Sequence, residues 1–198
     1  MLEADAKAGT FLQVFTYEVA AGVLRQSGYK VAPRKVASDR LKQSRSAALD
    51  CAARDDCVRA LATELRTPML LFITLEPAKR RRVQLNAQGV VITTTRIERL
   101  PPVVARGKEK QVADQVRRAA AALAEQPAPC TLEVAARVAG HFRVDTASSQ
   151  PLSTAPLFLT PGKRHIWVQD KERKAPPFEG ELQCDSGRRY RMHVKLTR

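Results

Sequence analysis

The sequence predicts two domains: an α/β (α+β) domain with a mixed sheet over residues 1–126 and an all-β sandwich over residues 130–198. The chain has 198 residues, which is enough for two small domains. Apolar residues recur at helical spacing only in the first part, and a two-residue period replaces this spacing after residue 129. Between the two patterns lies Gln126-Pro127-Ala128-Pro129, whose prolines indicate a linker.

The first domain is expected to begin with a helix over about residues 10–27, where apolar residues recur at helical spacing and Gly28 provides a stop. Residues 29–32 precede a proline and predict a short strand. A polar helix is predicted over residues 35–43. A further helix over residues 55–65 is expected, because it has two aspartates in its first turn and one apolar face.

Three strands are predicted to form an antiparallel meander in the first domain. They cover residues 69–76, 82–85 and 90–97. Residues 86–89 are expected to form the turn between the last two strands, and Pro101-Pro102 to end the sheet. A helix over residues 108–125 has one side, marked by Val112, Val116, Ala119, Ala120 and Leu123, which we expect to pack on the sheet.

The second domain is predicted to consist of six short strands with alternating apolar residues. The strands cover residues 131–136, 141–145, 157–159, 164–170, 178–184 and 189–196. The predicted inner layer consists of Leu132, Val134, Phe142, Val144, Ile166, Val168, Leu182 and Val194. Because so many short strands are not stable as one open sheet, we expect two sheets packed face to face.

The charge of the chain favours contact with polyanions. The formal net charge is +14 at pH 7, which suits nucleic acid, anionic lipid or acidic glycan, although a basic surface without a dedicated ligand fits the same composition. The candidate anion-binding residues are Lys79, Arg80, Arg81 and Arg82, at a predicted hairpin tip. They would bind phosphates or glycan acids, or form a solvated turn that protects a sheet edge. No aromatic residues are interleaved with them, which makes nucleic acid the less favoured partner.

The four cysteines bear on the cellular compartment. They form no CxxC pair, and no histidine lies at zinc-finger spacing, which argues against a zinc site. Two cysteines in each domain favour disulfides and an oxidising compartment, with small buried thiols as the alternative. We expect Cys51 to pair with Cys57, which is close in sequence. We expect Cys130 to pair with Cys184, because one opens the first strand of the sandwich and the other closes the fifth.

The sequence lacks the motifs that mark common catalytic sites. It has no Gly-rich phosphate loop, GxSxG, HExxH or Asp/Asn-rich calcium loop, and we therefore predict no enzymatic activity, metal or cofactor. His141, His165 and His193 are expected on different strands, where they do not converge on a metal. The apolar runs of the sequence, such as residues 69–73, are far shorter than the ~20 residues of a transmembrane helix.

Three segments of the second domain follow a known order. They are Phe142-Arg143-Val144-Asp145, Thr154-Ala155-Pro156-Leu157 and Leu159-Thr160-Pro161-Gly162-Lys163-Arg164-His165-Ile166-Trp167-Val168. This order resembles the PEGA family, in which a strand ending in Asp leads to a "TPL" strand and an "L-x-P-G-x-H-x-V-x-V" hairpin. Pro161 and Gly162 suit a type II turn that reverses the chain between the strand with Leu157 and the strand with Ile166. The PEGA tetrapeptide itself corresponds to Val138-Ala139-Gly140-His141, where only the glycine remains, and the usual Asp-Gly turn has become Asp145-Thr146.

The predicted elements of the first domain also follow the order found in a known family. Gly28-Tyr29-Lys30-Val31 is followed by the segment from Cys51 to Cys57, a helix and the meander. This order resembles the amino-terminal α/β domain of TolB and of related curli-assembly and flagellar envelope proteins. It departs from that family at Arg66-Thr67-Pro68 and Pro77-Ala78-Lys79, where turn glycines are expected. That family opens with a strand before the first helix, so we expect an upstream strand and a signal peptide, neither of which is visible in this sequence.

These resemblances imply a non-enzymatic binding or scaffold protein of the bacterial cell envelope, located in the periplasm. The α/β domain would dock a partner protein, and the PEGA-like module would contact surface glycan, cell-wall material or a partner protein. The net charge and the absence of a visible signal peptide favour a different reading, a cytoplasmic polyanion-binding protein.

Overall fold

The computed structural model has an α+β fold, and it describes most of the chain. The described residues are 2–43, 48–78, 82–136, 139–147, 149–152, 155–172 and 176–194. The chain divides into two compact units. The first unit comprises Met1–Val91 and Ile97–Gln126, and the second comprises Ile92–Arg96 and Pro127–Arg198. Residues 92–96, which the sequence pattern assigned to the first domain, thus form part of the second unit.

Five helices in the described residues all belong to the first unit. They are α1 (Leu2–Gln26), α2 (Arg34–Gln43), α3 (Ala48–Ala53), α4 (Asp55–Leu65) and α5 (Glu109–Ala124). Helix α4 begins where its two aspartates predict, since negative charge favours a helix amino terminus. It ends at Arg66, which has the left-handed φ of 49° that usually selects glycine. The short helix α3 was not expected from the sequence.

The predicted strand over residues 29–32 is wrong, because this segment forms no strand. Polar groups of this segment form hydrogen bonds with a side chain of α1 and with the end of α5, and not with a neighbouring strand. The Tyr29 hydroxyl donates to the carbonyl oxygen of Ala124, at the end of α5, at 3.1 Å. The Ala32 carbonyl oxygen accepts a hydrogen bond from the Tyr17 hydroxyl in α1. The segment therefore connects α1 to α2 as an anchored loop.

The sheet of the first unit has four strands. They are β1 (Met69–Ala78), β2 (Arg82–Ile92), β3 (Ile97–Arg99) and β4 (Val103–Gly107). Strand β2 pairs antiparallel with β1, from Met69 opposite Val91 to Ala78 opposite Arg82. It also pairs antiparallel with β4, while β3 lies beside β2 in the strand order.

Two sequence predictions about this sheet are wrong. Residues 86–89 continue β2 instead of forming a turn, so the predicted strands 82–85 and 90–97 are largely one strand. Gly89 serves close packing there, since a Cβ atom would lie 2.9 Å from the Leu100 side chain. The sheet also continues past Pro101-Pro102 into β4, because prolines are tolerated in the connection before a strand.

Helix α5 packs on this sheet together with α1, as the apolar side of α5 predicts. The buried core of the unit consists of Ala20, Leu85, Ala87, Val112, Val116, Ala119 and Ala120. Alternate residues of β2 face this core, which is the two-residue period of a strand with one buried face.

The second unit contains seven strands among its described residues. They are β5 (Cys130–Ala136), β6 (Gly140–Val144), β7 (Gln150–Pro151), β8 (Leu157–Leu159), β9 (Gly162–Asp170), β10 (Phe178–Cys184) and β11 (Arg189–Val194). One sheet has the order β10-β9-β6-β7, and the other has the order β11-β5-β8. Strands β5 and β11, the first and last of the unit, pair in parallel.

Both sheets of the second unit contribute to one hydrophobic core. Its buried members are Cys130, Leu132, Phe142, Val144, Leu157, Leu159, Ile166, Val168, Cys184 and Val194. Two residues of the predicted inner layer, Val134 and Leu182, are partly buried and pack against this core. Face-to-face packing of two short sheets removes apolar surface that neither sheet could bury alone.

The predicted hairpin at Pro161-Gly162 is wrong in one respect. Strands β8 and β9 belong to different sheets, so the two residues lead the chain from one sheet to the other. Gly162 has a φ of 119°, which L side chains rarely adopt, and the turn chemistry read from the sequence is therefore present. Residues 195–196 of the last predicted strand lie outside the described residues.

Candidate functional site

The second unit contains a cleft of about 220 Å³ at one edge of its two sheets. It is lined by Thr93, Thr94, Thr95, Phe142, Val144, Asp145, Thr146, Ala147, Gln150, Phe158, Leu159, Thr160 and Arg164. All of these residues belong to the second unit. The floor consists of buried apolar side chains from β6 and β8, and the rim is polar and more exposed. A concave site with an apolar floor and a few polar groups is the usual form of a small-ligand site.

One wall of the cleft is the segment Thr93–Thr95, which is held against strand β8. The Thr94 amide and the Thr94 hydroxyl both donate to the Phe158 carbonyl oxygen, at 2.7 and 3.0 Å. The Thr93 amide donates to the carbonyl oxygen of Arg96 at 2.8 Å, and the Arg96 amide donates to the Thr93 hydroxyl at 3.0 Å. These bonds close a tight turn and fix this wall of the cleft.

Asp145 and Arg164 form the opposite, charged part of the lining. The Arg164 Nη1 donates to Asp145 Oδ2 at 3.0 Å, and the His165 amide donates to Asp145 Oδ1 at 2.8 Å. The other two nitrogens of the guanidinium donate to the carbonyl oxygens of Thr160 and Pro161, at 2.8 and 2.9 Å. Arg164 thus joins the end of β6 to the connection between β8 and β9, and fixes the position of this part of the cleft lining.

The electrostatics of Asp145 follow from these contacts. Partial burial would raise the pKa of its carboxyl, but the His165 amide and the Arg164 guanidinium outweigh this effect, and the pKa lies below its usual value. Asp145 also has a left-handed φ of 52°, a conformation that Asp and Asn tolerate better than most residues. The carboxylate is therefore charged and serves as an acceptor in a fixed position.

Both expected disulfides are formed, and they include all four cysteines of the sequence. The Cα atoms of Cys51 and Cys57 are 5.2 Å apart, and those of Cys130 and Cys184 are 5.8 Å apart. Cys51, Cys130 and Cys184 are at most 1% exposed. Two disulfides indicate an oxidising compartment outside the cytoplasm.

The Cys51–Cys57 loop is also held by an arginine. Arg99 Nε donates to the Ala52 carbonyl oxygen at 2.8 Å. Its Nη2 donates to the Ala53 carbonyl oxygen at 3.2 Å and to Asp55 Oδ1 at 2.6 Å. The Arg99 guanidinium thus binds the end of α3 and the start of α4.

The predicted anion-binding group is only partly described. Lys79, Arg80 and Arg81 lie outside the described residues. Arg82 is exposed at the start of β2, opposite Ala78 of β1. Arg82, the described residue of this group, is not among the residues that line the cleft.

The three histidines lie on different strands: His141 on β6, His165 on β9 and His193 on β11. Within the described part of the chain, no three His, Cys, Asp or Glu side chains are grouped as metal ligands. Among the described helices, none combines the length and the apolar character that crossing a bilayer requires.

Sequence reasoning missed the cleft residues, above all Thr93–Thr95. The run of three threonines after an apolar strand is a visible signal, because hydroxyl side chains close turns by bonding the backbone. No signal in the sequence indicates that this turn bonds to Phe158 of β8, 64 residues after Thr94, because the contact depends on tertiary structure. No protein-family model matches the chain, and no curated protein is significantly similar to it in sequence.

Proposed function

We propose that the chain is a non-enzymatic binding or scaffold protein of the bacterial cell envelope, located in the periplasm. The observation that carries this proposal is the pairing of all four cysteines in two disulfides, one in each unit. Reducing conditions in the cytoplasm disfavour such bridges, whereas the periplasm promotes them. The TolB-like and PEGA-like orders of sequence elements support the same compartment.

Binding is assigned to the second unit, as a PEGA-like module that contacts surface glycan, cell-wall material or a partner protein. The cleft supports this assignment, because its polar rim and apolar floor can take up a small group of a larger ligand. The first unit, which resembles the TolB amino-terminal domain, would dock a partner protein of the envelope.

The test is a titration of free thiols in the native protein, isolated from its own cells in the presence of an alkylating agent and then denatured. We expect no free thiol, because all four cysteines are paired before isolation. Four free thiols would contradict an oxidising location. Fractionation of the same cells provides the control, since an envelope protein is released with the periplasmic fraction and a cytoplasmic marker is not.

The second candidate is a cytoplasmic polyanion-binding protein, which the net charge of +14 favours. This candidate requires the four cysteines to be reduced in the cell. The same titration therefore separates the two candidates. The cytoplasmic protein should give four free thiols, and the envelope protein should give none.

A further inference from the structure

We infer that the cleft of the second unit binds one uncharged sugar residue of a glycan, and not an acidic group. This inference rests on the proposed function, and it narrows the ligand of the binding module to one chemical class. It is carried by the charge, the size and the surface chemistry of the cleft.

The cleft is electrically balanced although the chain is strongly basic. Among the described residues that line it, two side chains are charged, Asp145 and Arg164, and these neutralise each other at 3.0 Å. Each of the three guanidinium nitrogens already donates a hydrogen bond to an oxygen of the unit. A carboxylate or phosphate in the cleft would have to share the Arg164 charge with Asp145 and would be repelled by that carboxylate, so the net attraction for an anion is small.

The size of the cleft excludes large ligands. A volume of about 220 Å³ is below the roughly 300–1,000 Å³ of sites that enclose drug-sized molecules. Such a site accommodates one ring-sized group of a glycan. The rest of the glycan chain would lie on the protein surface outside the cleft.

The surface of the cleft combines hydroxyl and amide groups with a buried apolar floor. Thr146, Gln150 and Thr160 are exposed at the rim, and each can both donate and accept hydrogen bonds. Phe142 and Leu159 also line the cleft and are each 4% exposed. A sugar ring has the complementary surface, with hydroxyls at its edge and C–H groups on its faces. An apolar side chain of a partner protein would cover the rim and leave its polar groups without partners, which is unfavourable.

The experiment is isothermal titration of the full chain with oligosaccharides at 50 and 500 mM NaCl. The uncharged probes are maltohexaose, cellohexaose and the hexamer of N-acetylglucosamine, and the acidic probe is hexagalacturonate. We expect at least one uncharged probe to bind, with a Kd that changes less than about twofold between the two salt concentrations, because screening acts on charge pairs. We expect hexagalacturonate to bind more weakly than this probe at 500 mM NaCl.

The cleft is tested with the double variant Gln150→Leu/Thr160→Val, which removes polar groups from the exposed rim. We expect the Kd for the uncharged probe to rise about tenfold or more, because two hydrogen-bonding groups at ~1 kcal/mol each are lost. The matched control is Gln183→Leu, on an exposed position of β10 outside the cleft lining, and we expect no change in Kd. Circular dichroism and the Tm of each variant verify the fold.

Several outcomes would overturn the inference, and they differ in what they say about the proposed function. Salt-sensitive binding of hexagalacturonate alone, unchanged in the double variant, would reject the uncharged ligand but leave glycan binding in place. Binding of an uncharged probe that the double variant does not weaken would place the site elsewhere. If no sugar binds, or if the variant instead abolishes binding to an envelope protein, the cleft is not a sugar site. The thiol titration tests the envelope location separately in each case.

Discussion

The two units each contain one buried disulfide, but the bridges join the chain over very different distances. Cys51 and Cys57 are six positions apart and enclose the end of α3 and the start of α4. Cys130 and Cys184 are 54 positions apart and connect the first strand of the second unit to β10. The first bridge therefore fixes a local loop, whereas the second joins the two sheets of its unit.

The difference reflects how each unit obtains its stability. The first unit has helices α1 and α5 packed on a sheet, and the backbone hydrogen bonds within each helix join residues close in sequence. The second unit is built from short strands whose partners are distant in sequence, such as β5 with β11. A small β unit with a small core depends more on a long-range covalent link.

Two spectroscopic probes report on the units separately. The single tryptophan of the chain, Trp167, lies in β9 of the second unit, so its fluorescence follows the unfolding of that unit. The described helices all belong to the first unit, so circular dichroism at 222 nm mainly follows the first unit. Each prediction below is measured with both probes on the full chain.

The largest effect is expected from Cys130→Ala/Cys184→Ala. Removal of a bridge across 54 positions lowers the free energy of unfolding by about 4 kcal/mol in the chain-entropy model. We expect the denaturant midpoint of the Trp167 fluorescence transition to fall strongly, while the circular dichroism transition changes little. Equal shifts in both transitions would contradict separate stabilisation of the two units.

Cys51→Ala/Cys57→Ala is the matched change in the first unit, and a smaller effect is expected. The shorter loop predicts a loss of about 2–3 kcal/mol, seen mainly by circular dichroism. Both pairs are buried, so the packing loss of the two double variants is similar and the loop length determines their difference. A larger loss of unfolding free energy than in Cys130→Ala/Cys184→Ala would contradict the greater dependence of the second unit on its disulfide.

Arg99→Met is expected to lower the free energy of unfolding of the first unit by about 1–2 kcal/mol. The substitution removes the hydrogen bonds to the carbonyl oxygens of Ala52 and Ala53. Arg106→Met, at an exposed position of β4, is the control and should have little effect.

The Arg99 effect should also depend on the neighbouring disulfide. In the background without the Cys51–Cys57 bridge, the loop is less constrained and the two losses should not be additive. Strict additivity in chemical denaturation would show that Arg99 and the bridge act independently.

Asp145→Asn tests the charged pair at the cleft and is expected to cost less than about 1 kcal/mol at neutral pH, because the pair is partly exposed. Asparagine tolerates the left-handed backbone at this position, so the change mainly removes the charge. The native pKa of Asp145 lies below its unfolded value, so the stabilisation is present above about pH 4 and is lost as the pH falls through the native pKa.

The measurement for Asp145→Asn is a series of fluorescence melts between pH 7 and pH 2. We expect the difference in Tm between the native chain and the variant to shrink to zero at the acidic end. Glu181→Gln, which removes the exposed pair with Lys163, should give a smaller difference at pH 7. A difference that grows on acidification would contradict the lowered pKa.

The smallest effect is a gain of stability from Arg66→Gly. Arg66 ends α4 with a φ of 49°, and glycine adopts this conformation without steric cost. Relief of this strain exceeds the greater entropy of unfolded glycine, and we expect a gain of about 0.5 kcal/mol. The circular dichroism midpoint should rise slightly and the fluorescence midpoint should not change. Arg59→Gly, within α4, is the control and should destabilise the helix.

The sequence by itself determined the elements whose signals are local. The aspartates and apolar face of α4, the single buried side of α5 and the alternating strand β10 were all readable, because helix and strand periods depend on neighbouring residues. The cysteine pairs were also expected from position, since Cys51 and Cys57 are close in sequence and Cys130 and Cys184 lie at the ends of predicted strands.

Tertiary structure decided the features that depend on partners distant in sequence. Gly89 looked like a turn residue, but it is a strand position at which a Cβ atom would lie 2.9 Å from the Leu100 side chain. The sequence placed β8 and β9 in one hairpin, whereas their pairing with β5 and β6 assigns them to different sheets. One wall of the cleft is held by the hydrogen bond from Thr94 to Phe158. Such a contact between distant residues forms only when the folded core holds both backbones in place.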